Sequence, residues 1–521
     1  MTSRERSFYW KIAYVVGICV LVFPLFYLGR PATSKQAGGG KLAQLRREHG
    51  LSEADLGEID PAGETMKLAS LGLSNVAANI LWIKADTYKM KKDWTNLSAT
   101  LNQIAKIQPH FISVWKFQAW NLSYNVSSEF DDYKDRYRWV IRGIHHLMEG
   151  IEKNEYDPRL YWDQGWFTAQ KIGRADEHVQ FRRLFRQDED FHATLPPDLF
   201  DPTGDNWLCG KLCFLKAEDI DRRSEVPGAK EREMKGMSPL VFHSDPGMCQ
   251  INYAEALEDD GTFGEVAAGA WQTGQREWHA YGERDIETSF RDPSTGGKLS
   301  IHLNDREHFE EKARDLVAEL ESLGPGLRKK IEQEKRETAL SDKEREALDT
   351  PVADRTDKQR QLAMVASEKI KVSHEEVARR VAGRDYAKAL KLADEAKKAE
   401  QMANYISRYR QIVNFEYWRL RCRVEQSPEA IAARKAIHEA DQAADLDLTG
   451  ARKSYEKGLA LWRKVLDKFP ELLEDRTTGE DLVEVIDRYR RLVERMDRDP
   501  GEAFSKDFPL QDVLDKYGKK K

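Results

Sequence analysis

The chain has 521 residues, enough for several domains with sizeable cores. Its 83 Lys and Arg against 89 Asp and Glu leave a formal charge of -6 with no basic excess, which argues against nucleic acid as a ligand, because phosphate binding needs clustered cations. Thirteen Trp, 18 Tyr and 20 Phe exclude a disordered solvating chain, and five Cys are too few for a disulfide framework.

The first predicted element is apolar. In YWKIAYVVGICVLVFPLFYLGR, residues 9–30, no charge occurs from Ile12 to Leu28, and aromatic residues stand at both ends. With its flanks the run spans about 30 Å as a helix, enough for the hydrocarbon core of a bilayer. A removable signal peptide is the rival reading. The run is longer than a usual signal core, however, and FYLGRPATSK offers no convincing small-x-small cleavage site. Residues 1–29 are therefore expected to be a short cytoplasmic head and a single-pass membrane anchor that engages the bilayer through residues 9–29. The short basic head (Arg4, Arg6, Lys11) favours a body outside the cytoplasm, although basic residues also follow the span.

Residues 30–65 begin with the Gly-rich stretch RPATSKQAGGGK and read as a linker. Helical periodicity starts after it, punctuated by Pro and Gly. In LWIKADTYKMKKDWTNLSATLNQIAKIQP, Ala85 permits close approach of two helices. Trp94, Leu97, Leu101 and Ile104 form an apolar stripe, and Pro109 ends the unit. The next pair starts at HFISVWKFQAW, and its second helix, RYRWVIRGIHHLMEGIE, is displaced by an expected loop near Val126 to Asp135. Pro158 opens a third unit, with Gly165 as its small contact residue and a second helix around His178 to Phe185. These three units occupy residues 66–190.

Residues 191–245 are an irregular insertion containing LPPDLFDPTGDN and the helix WLCGKLCFLKAEDI. A fourth unit follows at CQINYAEALEDDGTFGEVAAGAWQ, with Tyr253, Ala254, Leu257, Gly261, Phe263, Val266 and Ala270 at the same offsets. Alternation at Ile286, Thr288 and Phe290, then Leu299, Ile301 and Leu303, predicts a lone β-hairpin that must pack on something larger; both lie within 246–305. Residues 306–426 are long charged helices: 19 Lys or Arg balance 16 Asp or Glu over 326–400, consistent with i,i+4 pairing on solvated faces. The C-terminal helical region, 427–521, includes a partial unit at GLALWRKVLDKFP and ends in the basic tail DKYGKKK.

Cys209 and Cys213, four apart, with His243 and Cys249 some thirty residues on, form a zinc-like ligand set, though the Cys-x3-Cys spacing with a long gap is a weak signal and Cys249 fits equally well as a small apolar side chain. His145 and His146 are expected to divide into one packed and one exposed ring. Glu255, Glu258, Asp259 and Asp260 are expected to be solvated acids before a turn. Sequons at Asn96, Asn121 and Asn125 are read as chance matches, the first two lying in predicted helices. No phosphate loop, nucleophile elbow, HExxH or dinucleotide fingerprint occurs in the sequence.

The repeated landmarks resemble the tetratricopeptide family over some 200 positions. That resemblance implies a curved array of helix pairs; together with the elements read above, the expected fold is mainly α, an N-terminal transmembrane helix followed by a tetratricopeptide-like α-solenoid with one small β-hairpin and long charged helices. The resemblance also implies a groove that binds other proteins or peptide segments. More loosely, LVFHSDPGMCQINYAEALEDDGTFGEVAAGAW is similar to a phrase in uncharacterised membrane-anchored bacterial proteins labelled "iron-responsive element", a label that adds no chemical expectation. The expected function is a membrane-held protein-interaction scaffold with no catalysis, no cofactor and no bound metal, using Trp115, Trp162 and Trp271 as partner anchors. The alternative is a metal-binding envelope enzyme or sensor built on Cys209, Cys213, His243 and Cys249.

Overall fold

The computed structural model describes residues 74–222, 237–291, 296–496 and 508–518, together with isolated positions outside them. The expected anchor at 9–29 and linker at 30–65 lie outside the described residues apart from a few such positions. Among the described residues, no helix is long and apolar enough to cross a membrane. Among the described residues the chain is mainly helical with one two-stranded sheet. It divides into two compact units, one of residues 1–277 with 422–521 and one of residues 278–421.

In the first unit, helix α1 (Ser74–Met90) turns at Lys92, whose φ is positive, into α2 (Trp94–Ile107), where the Asp93 carboxylate caps the Asn96 amide. Leu97, Leu101 and Ile104 are fully buried on one side of α2, as their three-to-four spacing requires. Then come α3 (Ile112–Trp120), α4 (Tyr133–Lys153), α5 (Pro158–Trp166) and α6 (His178–Gln187). A loop is expected over Val126 to Asp135. Instead, α3 runs on as a π-helical segment, Asn121–Val126, and a 3₁₀ turn, Ser127–Glu129, before the chain breaks at Phe130. Buried side chains hold this wider turn: Ser123 Oγ donates to Val140 O at 3.3 Å, and Ser127 Oγ to Ser123 O at 2.5 Å. A second π segment, Phe167–Lys171, extends α5 in the same manner.

Glycine sets the helix spacing here. A Cβ on Gly143 would fall 2.0 Å from Ser123 Oγ and 2.9 Å from Ala119 O, so α4 can lie against the first π segment only without one. Helix α7 (Asn206–Arg222) crosses α5 where Gly165 and Gly210 meet, a Cβ on Gly165 falling 3.0 Å from Gly210 O. Helix α8 (Asp245–Asp259) packs on α7, and α9 (Glu265–Gly282) follows it. Towards the C-terminal end of the same unit, α17 (Pro428–Ala443) and α18 (Leu448–Lys468) pack extensively as a pair, followed by α19 (Arg476–Arg495) and α20 (Gln511–Tyr517).

The second unit holds the hairpin, β1 (Ile286–Arg291) and β2 (Lys298–Ile301), antiparallel with Ile286 opposite Ile301. The hairpin is not left alone. Ile286 and Ile301 are buried, Phe290 stacks on Tyr405 with centroids 4.4 Å apart, and the Ser289 amide donates to the Tyr409 hydroxyl. Both tyrosines lie on α15 (Tyr386–Ile412), which runs alongside α10 (Arg306–Leu323). Between them lie α11 (Leu327–Ala339), α12 (Asp342–Asp349), α13 (Asp357–Ile370) and α14 (His374–Arg380), and α16 (Phe415–Glu425) comes after α15. Reciprocal capping boxes at Ser341/Glu344, Thr356/Gln359 and Ser373/Glu376 start α12, α13 and α14. Surface pairs such as Lys398 with Asp394 and Lys388 with Glu319 line the long helices.

Candidate binding face

Helices α1, α3 and α5, which pack on α2, α4 and α7 respectively, carry groups of aromatic rings, and the expected pairing of α5 with α6 does not form. Trp82 of α1 meets Phe117 of α3 edge-on at 6.2 Å, and Lys89 Nζ lies 5.2 Å over the same Phe117 ring. One turn on, Trp120 stacks face to face on Tyr124 at 3.9 Å. This stack sits where α3 passes into its π segment, and Trp120 remains 46% exposed. Lys171, in the π segment of α5, lies 4.3 Å over Tyr124, and Phe167 of the same segment meets the Tyr124 ring edge-on at 5.8 Å. Burial lowers the Lys171 pKa and raises that of Tyr124.

On α5 itself Trp166 stacks on Trp162 at 5.4 Å, and Trp162 Nε1 donates to Asp245 Oδ2 at 2.6 Å. Burial pushes the Asp245 carboxyl up to about 7, the Trp162 bond opposing this and the Glu218 charge adding to it. Glu218 is itself fully buried and contacts His243 Nδ1 at 2.8 Å. Asp163 is pushed up to about 6 by burial against the pull of its ion pair with Lys116, 3.0 Å away. The face thus combines flat π surfaces, interleaved lysines and, at one end, an acidic corner. Such groups suit stacking and hydrogen bonding with an extended segment.

Of the three expected anchors, only Trp162 belongs to this face. Trp115 is interior: its indole donates to Pro109 O at 2.8 Å and its ring lies against His146 and Gly150. Trp271 is fully buried and donates to Glu258 Oε1 at 3.0 Å. Both hold helices together and offer a partner almost no surface. Trp82, Trp120, Tyr124, Trp166 and Lys171 were not foreseen. The available signal was the i,i+4 spacing of Trp120 with Tyr124 and of Trp162 with Trp166.

The cysteines enter three different apolar clusters. Cys209 joins that of Phe185 and Phe191, Cys213 that of Tyr161 and Phe242, and Cys249 that of Trp207 and Phe214. Burial pushes the Cys209 thiol up to about 12 and raises Cys213 and Cys249 as well, which keeps all three as neutral thiols. His243 is turned to Glu218, and among the described residues no three His, Cys, Asp or Glu side chains gather to hold a metal ion.

His146 is buried with Nδ1 3.5 Å from Glu149, a same-face carboxylate, while His145 packs edge-on against Phe191. Of the acids expected to be solvated, Asp259 and Asp260 are exposed and Glu255 is half-buried. Glu258 is buried, and Asp260 pairs with Arg182 at 3.1 Å and Arg186 at 3.0 Å, tying α8 to α6. Asn121 is fully buried, which closes that sequon to modification. No known protein family, curated protein or solved structure matches the chain.

Proposed function

We propose that this chain is a non-catalytic interaction scaffold, held at a membrane by residues 9–29 with its body outside the cytoplasm. In this reading the helix pairs of its first unit form a tetratricopeptide-like array that captures segments of other proteins. The observation that carries the reading is the set of aromatic contacts borne by α1, α3 and α5: Trp82 with Phe117, Trp120 with Tyr124, and Trp166 with Trp162. Rings held by stacking and hydrogen bonds lose little freedom on binding, and indole and phenol groups dominate the energetics of protein interfaces.

The test is photocrosslinking in native membranes, with a benzophenone amino acid replacing Trp120 or, as a control, the exposed Val352 of the second unit. Discrete protein adducts from position 120, absent from position 352 and weakened by Trp166→Ala, are the expected result. Identical adduct patterns from the two positions would refute the reading.

A further inference from the structure

Helix α1 shows a second surface that the aromatic contacts do not use. Ala78 and Ala85 are buried on its inner side. On the opposite side Val76, Ile80, Ile83 and Met90 follow at intervals of four, three and seven residues, a single stripe on a helix of 3.6 residues per turn. These side chains are 53%, 54%, 69% and 78% exposed, and so many large apolar groups in one line are unusual on a water-facing helix. The one polar residue within the stripe, Thr87, spends its hydroxyl on Ile83 O at 2.9 Å, so it brings no unsatisfied donor into an apolar medium.

Charge separates the candidate occupants. Lys84 borders the stripe and Lys91 and Lys92 close its end, against Asp86 and the helix-capping Asp93, in a chain whose overall charge is -6. A second copy would need about 20–30 residues on each side for a stable interface, and this stripe supplies a handful. An anionic lipid surface has no such threshold. It accepts a narrow apolar strip a few ångströms deep and rewards each flanking lysine. We propose that α1 lies in the interface of an anionic bilayer, its Val76–Ile80–Ile83–Met90 stripe in the acyl boundary and Lys84, Lys91 and Lys92 among the headgroups. The body is thereby docked against the membrane rather than hung from a free tether. This proposal rests on the membrane reading above.

The test uses the full chain in a Cys19→Ser background, where Cys209, Cys213, Cys249 and Cys422 are all buried. A polarity-sensitive fluorophore is placed on Ile83→Cys or, as a water-facing control, on Met364→Cys, and the protein is reconstituted into nanodiscs containing phosphatidylglycerol. Doxyl-labelled lipid should quench position 83 roughly twofold and leave position 364 unchanged, as expected for a strip at the acyl boundary. Quenching should weaken in pure phosphatidylcholine and in the combined Lys84→Glu, Lys91→Glu and Lys92→Glu variant. Incorporation with position 83 as unquenched as position 364 overturns the proposal while leaving the anchor reading standing. A blue-shifted but unquenched label also overturns it, because protein rather than lipid then covers the stripe. If the chain stays out of the discs the anchor reading fails instead. The same label is then read with anionic vesicles added to the soluble chain, where quenching upholds the α1 proposal and its absence overturns it.

Discussion

Trp162 and Asp245 lie 83 residues apart in sequence and are joined by a 2.6 Å hydrogen bond from indole nitrogen to carboxylate oxygen. The bond closes one end of the aromatic face and does so around a carboxyl pushed up to about 7, chiefly by burial. Because that folded value lies above the ordinary 3.8, the folded chain holds the proton to a higher pH than the unfolded chain does. Its contribution is therefore complete below about pH 4 and is lost as the pH rises through 7.

Asp245→Asn keeps an acceptor for Trp162 and removes the ionisation. The variant should match the parent near pH 4 and exceed it at pH 8 by about 1–2 kcal/mol, a figure reduced from the full shift because the residue keeps some solvent contact. Urea unfolding at the two pH values measures the difference; equal gains at both would show that the carboxyl does not titrate in this window.

Gly143 and Gly269 should respond to alanine in opposite directions. At Gly143 the new Cβ meets Ser123 Oγ and Ala119 O, and overpacking there costs about 1–3 kcal/mol. At Gly269, within α9, nothing lies within 4 Å, so relief of glycine's helix penalty should add about 0.5–1 kcal/mol. Thermal unfolding of Gly143→Ala and Gly269→Ala tests the pair, and a harmless Gly143→Ala would mean that the π segment yields easily.

Much of this architecture was open to local reading. The stripe Leu97–Leu101–Ile104 specifies α2 and its buried side, and the alternation at 286–303 marks the hairpin. The three capping boxes are also written locally, as Ser or Thr followed three residues later by Glu or Gln. The π segments were not legible, since an extra residue in a turn is accommodated by distant contacts such as Ser123 with Val140. Nor was the choice between Trp115 and Trp120. Both occupy α3, five residues apart, and it is the approach of Gly150 that takes Trp115 inside. Likewise, nothing local assigns residues 422–521 to the same unit as residues 1–277.

That difference between the two indoles can be measured. Trp115→Ala removes a buried ring and its bond to Pro109 O, at a cost of about 3–5 kcal/mol. Trp120→Ala removes a ring open to solvent on one side and should cost no more than about 1 kcal/mol, while weakening capture of a bound segment. Chemical denaturation of both variants, with crosslinking yield as the second readout, separates a packing role from a recognition role. A large stability loss for Trp120→Ala would return it to the core.

The dispersed cysteines predict silence toward metal reagents. Cys209, Cys213 and Cys249 sit in separate apolar clusters that raise their thiol pKa values, so thiolate formation is disfavoured, and among the described residues no three potential ligands gather around a metal position. Purified chain treated with a strong chelator should keep its melting temperature, and thiol reagents at pH 8 should reach these residues only after denaturation. Stoichiometric zinc or iron by elemental analysis, with a chelator-induced fall in melting temperature, would restore the metal-site alternative.

In the second unit Arg410 is 2% exposed, yet its guanidinium is fully engaged. It donates to Leu303 O at 2.6 Å, to both Glu307 oxygens at 2.6 and 2.7 Å, and to Glu416. Against the cost of partial burial, the Arg410 bonds hold the Glu307 carboxyl down at about 2. A lowered folded pKa stabilises above the ordinary carboxylate range, and the benefit is lost as the pH falls through about 2. Arg410→Ala should remove that acid-range dependence and cost about 3 kcal/mol at neutral pH, because Leu303 O loses its partner where the chain enters α10. Arg410→Lys keeps the charge but cannot span a carbonyl and two carboxylates from one planar group, so it should recover only part of the loss. Full recovery by lysine, read in urea titrations at pH 3 and pH 7, would show that charge alone matters here and that the planar guanidinium geometry does not.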